Sequence, residues 1–376
     1  MLRGPLPAAG LLTLRDQALD AFDRGDLRAA LAFADAGTAA IETAGPAGGA
    51  DAAALLIARA EIEEGLDRFG AAAITIAAAI ALLADGAARD GADPGEADGD
   101  GADDDVLVLW CQAQERLAGL ERLSGDIESA AARLRAVLDR AARELGETSR
   151  TVVSAANALG VTHKSAADFD AAQACYERAM AAAERWDEPD PLVVAGLLHN
   201  LGGLAHSRGD AGRGIPLAER GVALRTEAAG EDHPDVARDL NALGALYQLA
   251  GRLDDAARAY DRALALFEAS YGPDHYEVGM TCANLSVLAD DRGTGPEAEA
   301  LGRRSLRILE AVLGPDDAEV GLTLLNLGAV IAGQGRPAEA AELTIRGAEI
   351  LTARLPGGHP HRAAAGQAVR SLGGPS

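Results

Sequence analysis

Apolar and polar positions alternate along this chain with a helical spacing, and the whole pattern repeats every 42 residues. Within residues 233–274, apolar residues recur on both sides of Gly251 at the spacing of amphipathic helices, which indicates two helices joined by a short turn. A pair of this size cannot bury its apolar face alone, so neighbouring pairs have to stack on one another. The pattern therefore predicts an all-α chain built as a linear array of helix pairs.

Three columns of residues carry the 42-residue register. Leucines stand at Leu117, Leu159, Leu201, Leu243, Leu285 and Leu327. Small residues follow them at Gly160, Gly202, Gly244, Ser286 and Gly328, and occur on the second helices at Ala172, Gly214, Ala256, Ala298 and Ala340. Closely crossing helices require short side chains. Small residues are abundant here, but abundance alone would not hold the leucines in register, so we interpret the columns as packed helix faces.

The joints between pairs also repeat. Residues 230–234 read Gly-Glu-Asp-His-Pro, and related sequences occur at residues 272–276 and 314–318. Glycine ends a helix in the left-handed conformation, aspartate offers an N-terminal capping oxygen, and proline suits the first helical position. We therefore expect one helix to end and the next to begin at each joint, with His233 and His275 in structural roles.

The register divides the chain into four parts. Residues 1–83 contain two divergent helix pairs, residues 106–360 contain six pairs in one phase, and residues 361–376 form a capping helix and tail. Residues 84–105 contain nine Asp or Glu residues against one Arg and are predicted to be an acidic flexible linker. Counted from Asp98, this segment lacks the glycine and the glutamate that a calcium-binding loop requires.

Composition narrows the class of partner. The net charge of −24 and the pI near 4.6 would repel phosphate backbones and anionic membranes. We therefore expect a protein or peptide partner, basic or neutral, and neither nucleic acid nor membrane. No apolar run is long enough for a signal peptide or a membrane span, so the expected location is the cytoplasm. Cys111, Cys175 and Cys282 lie far apart in sequence, which predicts neither a disulfide nor a zinc site.

Leu243, Gly244, Ala256 and Tyr260 stand at the spacing of the tetratricopeptide repeat, and the chain resembles that family. The 42-residue period and the joints resemble its kinesin-light-chain type in particular. This resemblance implies a right-handed α-solenoid of about eight helix pairs with a C-terminal capping helix, whose first helices line a concave peptide-binding groove. In three pairs the aromatic position is occupied instead by Ala218, Gly302 and Thr344.

The resemblance also implies asparagines on the groove wall. They fall in two adjacent columns, at Asn157 and Asn241 and at Asn200, Asn284 and Asn326. An amide both donates and accepts hydrogen bonds, so it can bind a peptide backbone, although an asparagine bonded to its own or a neighbouring helix is the alternative. Further side chains expected on this face are His199, His206, Arg238, Gln248 and Lys164. The Asn157 column continues without Lys or Arg, so a carboxylate clamp for a chaperone tail is not expected.

Motifs of metalloproteases, serine hydrolases, phosphate-binding loops and dinucleotide-binding folds do not occur in the sequence. We therefore assign no catalytic residue, metal ligand or cofactor. The main hypothesis is a non-catalytic interaction scaffold or adaptor that binds a peptide or protein segment in its groove. The alternative is a regulatory or sensor subunit for a separately encoded signalling or caspase-like effector, and an enzyme is the third class. The oligomeric state is left open.

Overall fold

The computed structural model describes residues 8–24, 26–44, 49–66, 68–89, 101–355 and 360–372. These residues form helices and turns without a strand, which confirms the predicted all-α class. The helices are α1 (Ala8–Asp23), α2 (Leu27–Ala44), α3 (Gly49–Gly65), α4 (Phe69–Arg89), α5 (Gly101–Leu123), α6 (Ile127–Glu144), α7 (Arg150–Ser165), α8 (Phe169–Ala183), α9 (Pro191–Ser207), α10 (Ala211–Ala229), α11 (Pro234–Leu249), α12 (Leu253–Tyr271), α13 (Tyr276–Asp291), α14 (Gly295–Leu313), α15 (Ala318–Gly333), α16 (Pro337–Arg354) and α17 (Pro360–Leu372). None of these described helices combines the length and apolarity needed to cross a membrane.

The chain divides into two compact units, residues 1–189 and residues 190–376. The first contains α1 to α8, and the second contains α9 to α17. Within each unit the helices of a pair pack together, the second helix packs on the first helix of the next pair, and successive first helices are in contact. The eight predicted pairs are therefore present, four to each unit. The predicted capping helix is α17, which buries Ala365 against Ala348 and Leu351.

The helices flanking the acidic segment extend further than predicted. Residues 84–105 were expected to be a flexible linker, but α4 continues to Arg89 and α5 begins at Gly101. Alanine-rich sequence explains the extension of α4, since alanine has the highest helix propensity. At the other end, Asp104 and Asp105 lie near the N-terminus of α5, where negative charge is favoured by the helix dipole. Residues 90–100, and the predicted tail at residues 373–376, lie outside the described residues.

The joints of the second unit contain a cap that differs from the predicted aspartate. The residue before α11 is His233, whose Nδ1 accepts a hydrogen bond from the Asp235 N–H at 3.2 Å. His275 caps α13 in the same way, through the Glu277 N–H at 3.2 Å. In the third joint Asp317 takes this position and accepts from the Glu319 N–H at 2.8 Å. The imidazole thus replaces a carboxylate as acceptor, which requires a neutral ring with an unprotonated Nδ1.

Turns within pairs place a residue in the left-handed conformation. Gly251, between α11 and α12, has a φ of 71°, and four other turn glycines have similar values. The corresponding residue between α7 and α8 is Ala167, with a φ of 59°. A side chain with a Cβ is strained in this conformation, so this turn has a local cost that the five glycine turns avoid.

The small-residue column gives tyrosine rings their space. A Cβ added to Gly160 would lie 2.5 Å from Cε1 of Tyr176, and one added to Gly244 would lie 2.7 Å from ring atoms of Tyr260. Both rings are buried, with exposed fractions of 0% and 1%. The predicted column of small residues is therefore a column of close contacts between the two helices of each pair.

In the α9–α10 pair, which has no tyrosine at this position, a leucine from the next pair fills the space between the helices. At Gly202 the facing residue is Ala218 rather than an aromatic, and Leu246 of the next first helix packs against the space between α9 and α10. Leu246 is fully buried, and its side chain would clash with any Cβ at Gly214. Part of the core of this pair is thus supplied by its neighbour.

Candidate functional site

The predicted asparagines lie on first helices in both units. Asn157 is on α7 of the first unit, and it is half-buried. In the second unit Asn200, Asn241 and Asn284 are half-buried on successive first helices, whereas Asn326 on α15 is exposed. We use the term first-helix face for the surface of α9, α11, α13 and α15 that carries these four asparagines.

Two of these asparagines are bonded to each other. Asn284 donates from Nδ2 to Oδ1 of Asn241 at 3.1 Å, so the bond joins α11 to α13. This is the structural role that the sequence left open as an alternative. Each amide has two N–H groups and a carbonyl, so the Asn241 amide nitrogen and the Asn284 carbonyl oxygen keep hydrogen-bonding capacity beyond this contact.

His199 lies in the same column as Asn241, one repeat earlier, and is held by a buried carboxylate. Its Nδ1 lies 2.8 Å from Oδ1 of Asp239, which is only 4% exposed. The other carboxylate oxygen, Oδ2, accepts from Nε of Arg225 at 2.6 Å. A carboxylate buried to this extent needs such partners. Because a carboxylate oxygen can only accept, Nδ1 donates to Asp239, and Nε2 takes no part in this contact.

Gln248 and Arg238 are engaged in contacts between helices. Gln248 donates from Nε2 to Oδ2 of Asp291 at 2.6 Å, and its Oε1 accepts from the Tyr260 hydroxyl at 3.3 Å. Arg238 donates from Nε to Oε1 of Glu277 at 3.1 Å and also pairs with Asp235. These two predicted residues therefore hold successive helices together.

Lys164 lies in the last turn of α7 in the first unit and is the only lysine in the sequence. It is half-buried, and desolvation lowers the pKa of its ammonium group. Lys164 stands 84 residues before Gln248, two repeats earlier in the same column. Gln248 accepts a hydrogen bond from the Tyr260 hydroxyl, but the ammonium group of Lys164 cannot accept one. The hydroxyl of buried Tyr176, the counterpart of Tyr260, accordingly has no hydrogen-bond partner in the described part of the chain.

A polar cavity between α3 and α5 was missed by the sequence analysis. It has a volume of about 450 Å³, and we call it the acidic cavity, defined by Glu61, Glu64, Gln112, Glu115 and Arg116. Arg116 donates from Nη2 to Oε2 of Glu61 at 3.0 Å and from Nη1 to Oε1 of Glu64 at 3.1 Å. Glu115 instead accepts at Oε2 from the Ser154 hydroxyl at 2.5 Å.

Burial changes the acid–base properties of this cavity. Desolvation raises the pKa of Glu115 to about 7, although the Ser154 hydroxyl partly opposes the shift. Desolvation also raises the pKa of Glu64, against the lowering effect of Arg116. Neither in this cavity nor elsewhere in the described residues do three His, Cys, Asp or Glu side chains come together as a metal site would require.

Comparison with known families decides the class of the chain. Models described as "Tetratricopeptide repeat" match residues 111–185, 193–269 and 278–319, just over half of the sequence. The chain is a tetratricopeptide repeat protein. The predicted resemblance is thereby confirmed, and the last matched span is one 42-residue period long.

Two solved structures illustrate the similarity in fold. The structure of BtubC (BKLC) from P. vanneervenii is 25% identical, with a TM-score of 0.51, and the match covers 63% of this chain and 94% of that one. The apo form of the quorum sensor NprR from B. thuringiensis is 11% identical, with a TM-score of 0.63, and the match covers 91% of this chain and 86% of that one. No curated protein matches the sequence.

Two residues of the acidic cavity stand in the same 42-residue columns as the asparagines. Stepping back 42 residues from Asn157 leads to Glu115, and stepping back 84 residues from Asn200 leads to Arg116. The sequence therefore contained a signal for this site in the register itself. The columns that carry amides in the second unit carry ionisable groups on α5.

Proposed function

We propose that this tetratricopeptide repeat protein is a non-catalytic adaptor that binds a peptide or protein segment along its first-helix face. One observation supports the proposal most directly, namely the polar strip on four consecutive first helices. Asn200, Asn241, Asn284 and Asn326 lie in two adjacent columns beside the leucine column of the packed face.

The chemistry of the strip suits a main chain. A peptide segment presents N–H and C=O groups whatever its side chains are, and an amide can bond to either group. The remaining N–H capacity of the Asn241 amide and the carbonyl oxygen of Asn284 provide a donor and an acceptor on neighbouring helices. Side-chain preferences would then come from other surfaces, and the strongly negative net charge favours a basic or neutral segment.

The test is a pull-down that compares two triple variants. Asn200→Ala, Asn241→Ala and Asn284→Ala together should abolish recovery of the cellular partner identified by mass spectrometry with the unmodified chain. The control replaces exposed residues of second helices, Arg262, Arg307 and Glu342, by alanine and should retain it. Equal recovery of the partner by the asparagine variant, with its helical content intact by circular dichroism, would contradict the proposal.

A regulatory or sensor subunit for a separately encoded signalling or caspase-like effector remains the second prediction. The fold shared with the quorum sensor NprR supports the architecture only, because the two sequences are 11% identical. The same pull-down distinguishes the adaptor from the regulatory subunit, since a regulatory subunit should recover an effector enzyme and a general adaptor should not.

A further inference from the structure

The acidic cavity of the first unit has an excess of negative charge. Three carboxyl groups line it, and the single guanidinium of Arg116 is shared between Glu61 and Glu64 on α3. Glu115 is left with the Ser154 hydroxyl as its partner, and its second oxygen, Oε1, has no hydrogen-bond donor in the described residues. With all three carboxyl groups ionised, the cavity therefore carries two more negative charges than positive ones.

The position of Glu115 makes this imbalance costly for the fold. In the same column the chain has asparagine on α7 and α11, at Asn157 and Asn241, which are neutral and cheap to bury. A carboxylate with one hydroxyl partner is far more costly at a largely desolvated position, which is why the pKa of Glu115 is raised to about 7. A cationic ligand would supply the partner that the chain itself does not.

The cavity is open and large enough for such a ligand. Glu61, Glu64 and Arg116 have side chains that are 43%, 26% and 25% exposed, so solvent reaches their charged ends. The volume of about 450 Å³ exceeds that of a single long side chain, and Ile57 and Gly119 add an apolar wall along which a methylene stem can lie.

We propose that the acidic cavity binds one basic side chain, arginine or lysine, of a partner peptide. The charged end lies against Glu115 and the Glu61 and Glu64 carboxylates, and the Gln112 amide accepts a further N–H. This inference rests on the proposed function in one respect, since it takes the ligand to be a protein segment that runs along the first helices. It adds a specificity element that the main-chain contacts of the first-helix face lack.

The experiment uses small probes on the full chain, so no partner needs to be known. The chain is labelled at isoleucine methyl groups, and the Ile57 methyl signal, which reports on the cavity wall, is followed by NMR as N-acetyl-arginine methylamide is added. N-acetyl-citrulline methylamide has the same shape without the charge. The arginine probe should give a saturable shift at Ile57 and the citrulline probe should not, and N-acetyl-lysine methylamide shows which cation binds more tightly.

Variants then assign the site. Glu115→Gln should weaken the arginine probe about tenfold, because it removes a charged hydrogen bond and keeps the shape of the side chain. The matched control Asp139→Asn removes one negative charge from an exposed position on α6 and should change the dissociation constant less than about twofold. Isoleucine methyl signals away from the cavity confirm that each variant is folded.

Three results would overturn the inference. These are equal shifts from the arginine and citrulline probes, an unchanged dissociation constant in Glu115→Gln, or a Ca²⁺ or Mg²⁺ titration that saturates Ile57 at lower concentration and displaces the arginine probe. Failure here is distinguishable from failure of the proposed function, because the pull-down reads asparagines of the second unit. Loss of the partner there with no probe binding here would reject the cavity alone.

Discussion

Replacing Gly160 by alanine should destabilise this chain, whereas the same replacement at Gly202, one repeat later, should not. Both glycines are buried inside first helices and occupy the same column. A Cβ at Gly160 would lie 2.5 Å from Cε1 and 2.6 Å from Cδ1 of Tyr176. At Gly202 the nearest atom would be Cβ of Ala218 at 3.5 Å, an ordinary contact distance.

The magnitudes follow from two opposing effects. Alanine in place of a helical glycine gains about 1 kcal/mol from helix propensity. Overpacking against a ring that cannot move costs about 1–3 kcal/mol, and Tyr176 is fully buried. The Gly160→Ala variant should therefore lose up to about 2 kcal/mol, and the Gly202→Ala variant should gain up to about 1 kcal/mol.

The assay is thermal and urea unfolding followed by circular dichroism, with hydrogen exchange to locate the change in α7 and α8. An array of repeats need not unfold in one step, so exchange is needed beside the global transition. In a Tyr176→Ala background the Gly160→Ala replacement should become stabilising, because the clash is gone. If Gly160→Ala and Gly202→Ala shift the unfolding midpoint equally, the tyrosine ring does not explain the glycine.

Three further predictions concern single positions. Ala167→Gly should stabilise the turn after α7 by about 1 kcal/mol, since glycine adopts its φ of 59° without strain, and Gly209→Ala, at φ 73°, should do the opposite; chemical denaturation measures both. Glu115→Gln should leave the free energy of unfolding unchanged near pH 4.5 and raise it by up to about 3 kcal/mol at pH 8. The carboxyl group has a pKa of 4.5 in the unfolded chain and about 7 in the folded chain, so the stability present below pH 4.5 is lost as the pH rises through 7, and glutamine does not lose it. Equal gains at both pH values would refute this. Asp239→Asn should cost about 3 kcal/mol by leaving the largely buried Arg225 beside a neutral group, whereas a loss below about 1 kcal/mol in urea unfolding would show that the pair contributes little.

The helical register was predictable because its cause is local. A leucine and a small residue every 42 positions reflect the same packing event in each pair, and the structure places Gly160 and Gly244 against tyrosines as that reasoning requires. The capping residue was not predictable to the same degree. Asp232 and His233 are adjacent, either can accept a hydrogen bond, and only backbone geometry decides that His233 is the cap.

The candidate sites show a sharper limit. Asparagine columns could be found by register, but a register does not say which amides bond to each other, as Asn241 and Asn284 do. The acidic cavity escaped notice because Glu61 and Glu115 lie on opposite sides of the acidic segment, where the 42-residue phase is broken. Burial, which gives Glu115 its unusual pKa, depends on how α3, α5 and α7 pack and has no local signature.

The packing of Leu246 has a consequence for modularity. Repeat arrays are commonly shortened, lengthened or reordered by whole repeats, on the assumption that each unit brings its own core. Here the pair α9 and α10 borrows Leu246 from the following helix to fill the space left by Ala218. A tyrosine-bearing pair is self-sufficient at that point, but this one is not. If the α9–α10 pair were moved to another array without α11, a cavity would remain beside Ala218 where Leu246 packs. The order of the repeats in the sequence is therefore part of what specifies the fold.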